Sequence, residues 1–176
     1  ENPDTIIVDM RNYYESEIGR FETAIIPDVE ISKELLPEVK RILEGKEDKQ
    51  ILLYCTGGIR CEKASSYMIN QGFNDVNQLK GGILKYLEEM PKNHSIWNGE
   101  CFVFDKRVTV TSTLGKGNYD LCHGCNDPIS KTDQESIKFE KDVSCPNCYD
   151  LSTDMKKNSS RERSKQINLA RERKTH

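Results

Sequence analysis

The sequence lacks the long apolar runs that mark membrane proteins. Hydrophobic residues make up 35% of its 176 residues and charged residues 31%. No stretch approaches the roughly 20 apolar residues that a membrane-spanning helix needs. The N-terminus has neither a basic segment nor an apolar core, so nothing in it indicates secretion. We therefore expect no association with a membrane.

Histidine is also scarce. His94, His123 and His176 are scattered along the chain, which makes an iron site of two histidines and one carboxylate implausible. No haem, flavin or NAD site is evident, and no protein partner is indicated.

Cysteine, by contrast, occurs seven times. Because most of these cysteines lie in one loop and in two CxxC pairs, a reducing cytoplasm fits them better than a secreted disulfide framework.

Charge is distributed unevenly along the chain. Residues 151–176 hold eight Lys or Arg against three Asp or Glu, a net charge of +5, whereas the whole chain carries −3 and the remainder therefore −8. A basic tail on an acidic body is a common arrangement in proteins that bind nucleic acid. The alternative is a solvated tail that is partly helical or disordered. We predict that six tail residues contact RNA phosphates: Arg161, Arg163, Lys165, Arg171, Arg173 and Lys174.

Strand-like and helix-like segments alternate in the first half of the chain. We expect strands at 5–8, 24–27, 51–54 and 76–79, and helices at 37–43, 62–68 and 83–90, the first with Pro37 in its opening turn. This alternation predicts an α/β fold, a parallel sheet flanked by helices. A hairpin around Asp105 follows a linker, and Cys101 is expected to be a core or hairpin residue. We expect three regions: a domain at 1–92, a hairpin with a cysteine-rich segment at 93–150, and a basic tail at 151–176.

The most informative segment is Cys55-Thr56-Gly57-Gly58-Ile59-Arg60-Cys61, which joins a predicted buried strand to a predicted helix. The N–H groups of such a loop and of the helix N-terminus can all point at one sulfur, which favours the reactive thiolate. The two glycines allow a tight curl, and the arginine adds positive charge. The alternative is a buried cysteine beside a glycine-rich turn. We predict a catalytic set of Cys55, Arg60 and Cys61, and an anion cradle formed by Thr56, Gly57, Gly58 and Ile59. Cys61 would be a resolving or second reactive thiol, or only a packing residue.

The length of this loop restricts the size of the chemical group that it can enclose. Four residues separate Cys55 from Arg60, whereas cysteine phosphatases need five to enclose a tetrahedral phosphate. Those enzymes also usually carry a histidine at the position of Tyr54. The shorter loop suits a smaller group, such as the terminal sulfur of a persulfide, so a phosphatase is the weaker interpretation.

The stretch from about Thr5 to Met90 resembles a rhodanese domain. Val8-Asp9-Met10-Arg11 resembles its first-strand motif, the segment 19–25 resembles the motif Gly-His-Ile-x-Gly-Ala, and the segment 78–83 resembles the last-strand motif Leu-x-Gly-Gly. More specifically, CTGGIRCEKAS, LKGGILKYLEE and GECFVFDKRV together resemble the bacterial tRNA uridine hydroxylases. Members of that family usually begin with a ferredoxin-like domain, which this chain is expected to lack.

The resemblance implies an enzyme that uses molecular oxygen to convert the wobble uridine of tRNA, uridine-34, into 5-hydroxyuridine. Cys55 would add to C6 of the uracil ring or would act as a persulfide or sulfenate. Two alternatives stay open. One is a rhodanese sulfurtransferase that moves sulfur from thiosulfate to a thiol acceptor, and the other is a non-catalytic zinc-bearing module that binds RNA.

Two residues of the first-strand motif follow the rhodanese pattern and are assigned a supporting role. Asp9 is expected to order the loop through hydrogen bonds. Arg11 would either face the active cleft or pair with an acid such as Glu17.

A second cysteine group consists of two CxxC pairs separated by nineteen residues. This spacing is typical of a zinc site with four thiolate ligands. We predict a structural Zn²⁺ bound by Cys122, Cys125, Cys145 and Cys148, which would supply folding energy to a polar segment. Disulfides or free thiols are the alternative. His123, inside the first pair, would be a substitute ligand or a solvated loop residue.

Overall fold

The structure, a computed structural model, describes residues 4–29 and 32–174, apart from the side chains of Ser32 and Lys174. The chain divides into two compact units at Gly117. The elements of the first unit are β1 (Ile6–Asp9), α1 (Tyr13–Ile18), β2 (Gly19–Phe21), α2 (Ser32–Ile42), β3 (Gln50–Tyr54), α3 (Ile59–Asn70), β4 (Asp75–Gln78), α4 (Gly82–Glu89), a 3₁₀ turn (Lys92–His94), β5 (Trp97–Gly99), β6 (Cys101–Phe102) and β7 (Thr109–Val110).

A parallel sheet in the order β1-β3-β4 forms the centre of the first unit. Strands β1 and β3 are rich in apolar residues because both of their faces are covered, whereas the edge strand β4 is mostly polar and exposed. On one face, Ile51 and Leu53 pack with Val39 of α2, with Leu43 just after that helix, and with Met68 of α3. The predicted α/β fold with a parallel sheet and flanking helices is confirmed.

An aromatic cluster fills the opposite face of the sheet. Phe21 makes edge-to-face contacts with Tyr54, Tyr86 and Trp97, with ring centroids 4.8–5.1 Å apart. Ile83 of α4 is buried in the same cluster. Aromatic pairs in this arrangement stabilise a core beyond the area that they bury.

Two local predictions differ from the structure. The segment 24–27 is not a strand but makes a single parallel bridge between Ile25 and Val8. The helix expected from Pro37 begins at Ser32, so that Pro37 lies inside α2. Proline lacks the N–H for one helical hydrogen bond, and the apolar face of α2, with Leu35 and Val39 in the core, offsets that loss.

The hairpin after the linker belongs to the first unit. Strand β5 pairs with β2, and β6 pairs with β7 around the turn that contains Asp105. Cys101, Val103 and Val110 are buried in the core that contains Tyr54. The structure therefore divides the chain after this hairpin, at Gly117, whereas the expected boundaries were at 92 and 150.

The second unit contains the two CxxC pairs and one long helix. Its elements are β8 (Asp120–Leu121), β9 (Pro128–Ile129), α5 (Lys131–Gln134) and α6 (Asp154–Lys174). The basic tail is thus helical up to Lys174. Among the residues that the structure describes, no helix is both long and apolar enough to cross a membrane.

Candidate active site and metal centre

Cys55 lies directly after β3, at the carboxyl end of the parallel sheet, where open α/β sheets place their active groups. The residue is buried, and the N–H of Gly58 donates a hydrogen bond to its Sγ at 3.1 Å. The pKa of Cys55 is lowered to about 5, chiefly by a hydrogen bond from the Cys61 thiol. Hydrogen bonds from the backbone N–H groups of Cys61 and Arg60 lower the pKa further, as does the positive charge of Arg60. Together these effects outweigh burial, which raises the pKa. At neutral pH, Cys55 is therefore a thiolate.

Cys61 is the hydrogen-bond partner of this thiolate. It is fully buried in the first turn of α3, and its pKa is raised, first by the hydrogen bond to Cys55 and then by burial. Cys61 therefore keeps its proton and donates it toward the Cys55 sulfur. Cys61 thus acts by lowering the pKa of the Cys55 thiol.

The N-terminus of α4 fixes the backbone of the loop. The N–H of Ile83 donates to the carbonyl of Cys55 at 3.0 Å, and the N–H of Leu84 donates to that of Thr56 at 3.1 Å. This approach requires Gly82, which has a φ of +67° and whose position would put a Cβ 2.5 Å from the Cys55 carbonyl oxygen. The second glycine of the last-strand motif is therefore needed both for its conformation and for its small size.

Arg60 is held by a carboxylate that the sequence reasoning missed. Its guanidinium forms two hydrogen bonds to Glu15, at 2.6 and 2.9 Å, and the hydroxyl of Thr56 donates to the same carboxylate at 3.3 Å. Glu15 is completely buried. The fork geometry fixes the position of the arginine charge beside Cys55.

A local signal for Glu15 was present in the sequence. Asn12 and Glu15 form a capping box at the start of α1, in which the N–H of Asn12 donates to the Glu15 carboxylate at 3.0 Å. Asn-x-x-Glu before a helix is a recognisable pattern. It predicts the helix start, but it does not reveal that the same carboxylate also binds Arg60, 45 residues away.

Asp9 and Arg11 form a buried ion pair beneath the site. The Arg11 guanidinium donates to Asp9 at 2.6 and 2.9 Å and to the carbonyl of Gly19 at 2.6 Å, and it lies 5.1 Å from the Trp97 ring centroid. Asp9 also accepts hydrogen bonds from the hydroxyls of Tyr54 and Ser16. Arg11 therefore pairs with Asp9 and not with Glu17, and it is fully buried and does not face the cleft.

The outer edge of the cradle is open. Thr56 and Cys55 are buried, but Gly57 is exposed and Ile59 is 78% exposed. The N–H groups thus contact a buried sulfur, and the exposed Gly57 and Ile59 form the outer edge of the loop. Such an arrangement can stabilise a thiolate or a negatively charged sulfur group attached to it.

Comparison with known proteins agrees with this geometry. Residues 1–89 match the rhodanese-like domain family. The chain belongs to the rhodanese-like family. This confirms the resemblance predicted from the motifs around Asp9, Cys55 and Gly82.

The match to one relative extends beyond the rhodanese-like region. The chain is 48% identical over 169 residues to a tRNA uridine(34) hydroxylase from Teredinibacter turnerae, which covers 96% of this chain and 53% of that protein. It therefore spans about half the length of this relative. Among solved structures it is similar to a rhodanese-related protein from Thermoplasma volcanium (29% identity, 49% of this chain and 79% of that one, TM-score 0.41) and to a rhodanese-like domain from Anabaena (24%, 47% and 88%, TM-score 0.40).

The four cysteines of the two CxxC pairs meet in the second unit of this rhodanese-like protein. Their sulfur atoms all lie within 4.8 Å of one another, and three of the Sγ–Sγ distances are 3.7, 3.8 and 3.9 Å. A tetrahedron with metal–sulfur bonds of about 2.3 Å has edges of about 3.8 Å. The cluster can therefore hold a metal ion bound by Cys122, Cys125, Cys145 and Cys148.

His123 lies outside this cluster. Its side chain is 65% exposed, and its Nδ1 is 2.9 Å from a carboxylate oxygen of Asp142. The structure thus supports the solvated loop position rather than a ligand role. The close turn at Gly124, where a Cβ would meet the carbonyl of Val143, keeps the first pair tightly packed.

The predicted RNA-binding residues lie along α6 in different settings. Arg161 forms two hydrogen bonds to Glu140, at 2.6 and 2.7 Å, and Arg163 donates to the carbonyl of His123 at 3.4 Å. Lys165 and Arg173 are exposed, and Arg171 lines a groove beside α6. The side chain of Lys174 lies outside the described residues.

Proposed function

We propose that this chain is the catalytic part of a tRNA uridine hydroxylase that converts uridine-34 into 5-hydroxyuridine. The observation that carries the proposal is the 48% identity to a tRNA uridine(34) hydroxylase, which extends over 169 residues and so includes both the thiolate loop and the cysteine cluster. The activated Cys55 supplies a nucleophile that suits the reaction. Seven free cysteines and a tRNA substrate support a cytoplasmic location.

The proposed chemistry begins with attack of the Cys55 thiolate on C6 of the uracil ring. The new C–S bond makes C5 electron-rich, and C5 then reacts with molecular oxygen and a proton to form a hydroperoxide. Two thiol equivalents reduce the hydroperoxide to a hydroxyl group and water and become a disulfide. Loss of the C5 proton then expels the Cys55 thiolate. The low pKa of Cys55 serves both the attack and the departure, since it makes a thiolate available and a good leaving group.

The alternative chemical route uses Cys55 as a persulfide or sulfenate. The N–H group of Gly58 and the charge of Arg60 would stabilise either species as they stabilise the thiolate. Both routes need the same sulfur atom, so a Cys55→Ser enzyme with full activity would contradict both.

The structural metal in the proposal is Zn²⁺, because four thiolates in a tetrahedron suit this ion and leave no open position. The metal would tie together a segment whose β-strands have only two residues each. It takes no part in the chemistry at Cys55.

Nucleoside mass spectrometry of tRNA tests the proposal. Cells that lack the gene are complemented with the natural full-length protein, either wild type or carrying Cys55→Ala or Cys101→Ala. The Cys101→Ala variant is the matched control, since this cysteine is buried outside the loop. We expect wild type and the control to restore 5-hydroxyuridine derivatives and Cys55→Ala to fail. Equal restoration by all three proteins would refute the role of Cys55.

A sulfurtransferase is the second candidate, favoured by the match to the rhodanese-like family and by a cradle that fits a persulfide. Thiocyanate formation from thiosulfate and cyanide separates the two functions. We expect weak thiocyanate formation beside restored 5-hydroxyuridine. Strong thiocyanate formation without any change in tRNA nucleosides would establish the sulfurtransferase instead.

A further inference from the structure

The second unit contains a groove of about 430 Å³ between the cysteine cluster and one face of α6. Its helical side is formed by residues spaced four apart, Arg163, Ile167 and Arg171, which lie on the same face of a helix. Its other side includes Asn126 and Lys141, from the segment between the two CxxC pairs. All of these residues belong to the second unit, so the groove is complete within it.

The floor of the groove is fixed by one carboxylate. Asp142 accepts a hydrogen bond from the hydroxyl of Ser164 at 2.8 Å, which ties α6 to the cysteine-rich segment. The same carboxylate lies 2.9 Å from Nδ1 of His123. Arg163 adds a hydrogen bond to the carbonyl of His123. Asp142 is therefore engaged by the groove's own polar groups, and its charge is partly balanced there.

The remaining lining is cationic and amide-rich. Lys141, Arg163 and Arg171 place three positive charges around the groove, and Asp142 is the one carboxylate among its described lining residues. Asn126 and Asn168 offer amide donors and acceptors, and Ile167, which is 45% exposed, offers an apolar surface. Cations bind phosphates, amides read the edges of bases, and apolar side chains cover base faces.

We propose that this groove binds one nucleotide of a single-stranded loop of the RNA substrate. Lys141, Arg163 and Arg171 hold the flanking phosphates, the two asparagine amides contact the base edge, and Ile167 packs against the base. The groove volume of about 430 Å³ is large enough for such a ligand, because pockets for small ligands start at about 300 Å³. The inference rests on the proposed function, since it takes tRNA as the substrate.

The basic residues of α6 fall into two classes, those that line the groove and those that do not. Arg163 and Arg171 line it, whereas Arg161 is bound to Glu140 and Lys156 is exposed elsewhere on the helix. General attraction between a basic tail and RNA would involve all exposed cations alike. If the groove recognises RNA specifically, substitution of its lining residues must weaken RNA binding more than substitution of other exposed cations.

Equilibrium binding of purified tRNA to the metal-loaded chain tests this inference. We expect Lys141→Gln and Arg163→Gln each to weaken binding about fivefold to tenfold and to lower the salt dependence by about one phosphate contact. Asn168→Ala should weaken binding to tRNA but not to a fully paired RNA duplex, because only a loop offers an open base edge. Lys156→Gln is the matched control, with the same change in charge on the same helix, and should change affinity less than about twofold.

The outcomes separate this inference from the proposed function. An equal loss in Lys156→Gln and in the groove variants, or no loss in any of them, would overturn the groove as a site. Tight binding that depends on the groove residues, in a protein that forms no 5-hydroxyuridine, would support the groove and overturn only the hydroxylase. Metal content and circular dichroism of each variant show that a loss of binding does not come from unfolding.

Discussion

The low pKa of Cys55 depends mainly on one neighbour, and replacing that neighbour should raise it by a measurable amount. Cys61→Ala removes the thiol that donates to the Cys55 thiolate. A hydrogen bond to a charged group contributes about 1.5–3 kcal/mol, and one pKa unit corresponds to about 1.4 kcal/mol. The pKa of Cys55 should therefore rise from about 5 to roughly 6–7. It should stay below that of a free thiol, because the backbone N–H groups and Arg60 remain.

The rate of alkylation of Cys55 by iodoacetamide measures this pKa, with the modified peptide quantified by mass spectrometry. Only the thiolate reacts, so the rate falls as the pH drops through the pKa. We expect a midpoint near pH 5 for wild type and a higher one for Cys61→Ala. Cys61→Ser keeps a hydroxyl donor and should stay near wild type. A wild-type midpoint of about 8.5, as in a free thiol, would refute the reasoning. Identical midpoints for Cys61→Ala and Cys61→Ser would refute it as well.

Three further perturbations test the support of the site. Gly82→Ala should destabilise the fold by about 1–3 kcal/mol and slow Cys55 alkylation, whereas Gly45→Ala, at a φ of +77° in open space, should leave alkylation unchanged. Asp9→Asn should lower the free energy of unfolding in urea by about 3–5 kcal/mol, because Arg11 stays buried without its charged partner. Chelation should release one metal ion per chain and increase hydrogen exchange at Val143, and unchanged exchange would argue against a structural metal.

The local structure around Cys55 could be predicted from the sequence. The strand before Cys55, the glycines and the helix that contains Cys61 are neighbours along the chain, so their patterns could be read directly. The sulfur cluster was also predictable, since each CxxC pair is local and only the meeting of two pairs depends on the fold.

The long-range contacts could not be predicted in the same way. Glu15 contacts Arg60 across 45 residues, and nothing in either local sequence specifies that meeting. Asp9 and Arg11 follow the rhodanese motif, but the motif does not show that the two side chains pair with each other. That pairing follows from the burial of both side chains in the core. The groove face of α6 likewise follows from how Ser164 meets Asp142, 22 residues earlier.

The hydrogen bonds from α4 to the thiolate loop have a consequence for how reactivity develops during folding. The carbonyls of Cys55 and Thr56 are bound by Ile83 and Leu84, which follow in the chain almost thirty residues later. A nascent chain that ends before α4 therefore lacks the contacts that shape the cradle, and its cysteine should behave as an ordinary thiol. We therefore expect Cys55 to reach its low pKa only once α4 has packed on the loop that also places Cys61 and Arg60, so that its alkylation rate would report completed folding of this unit.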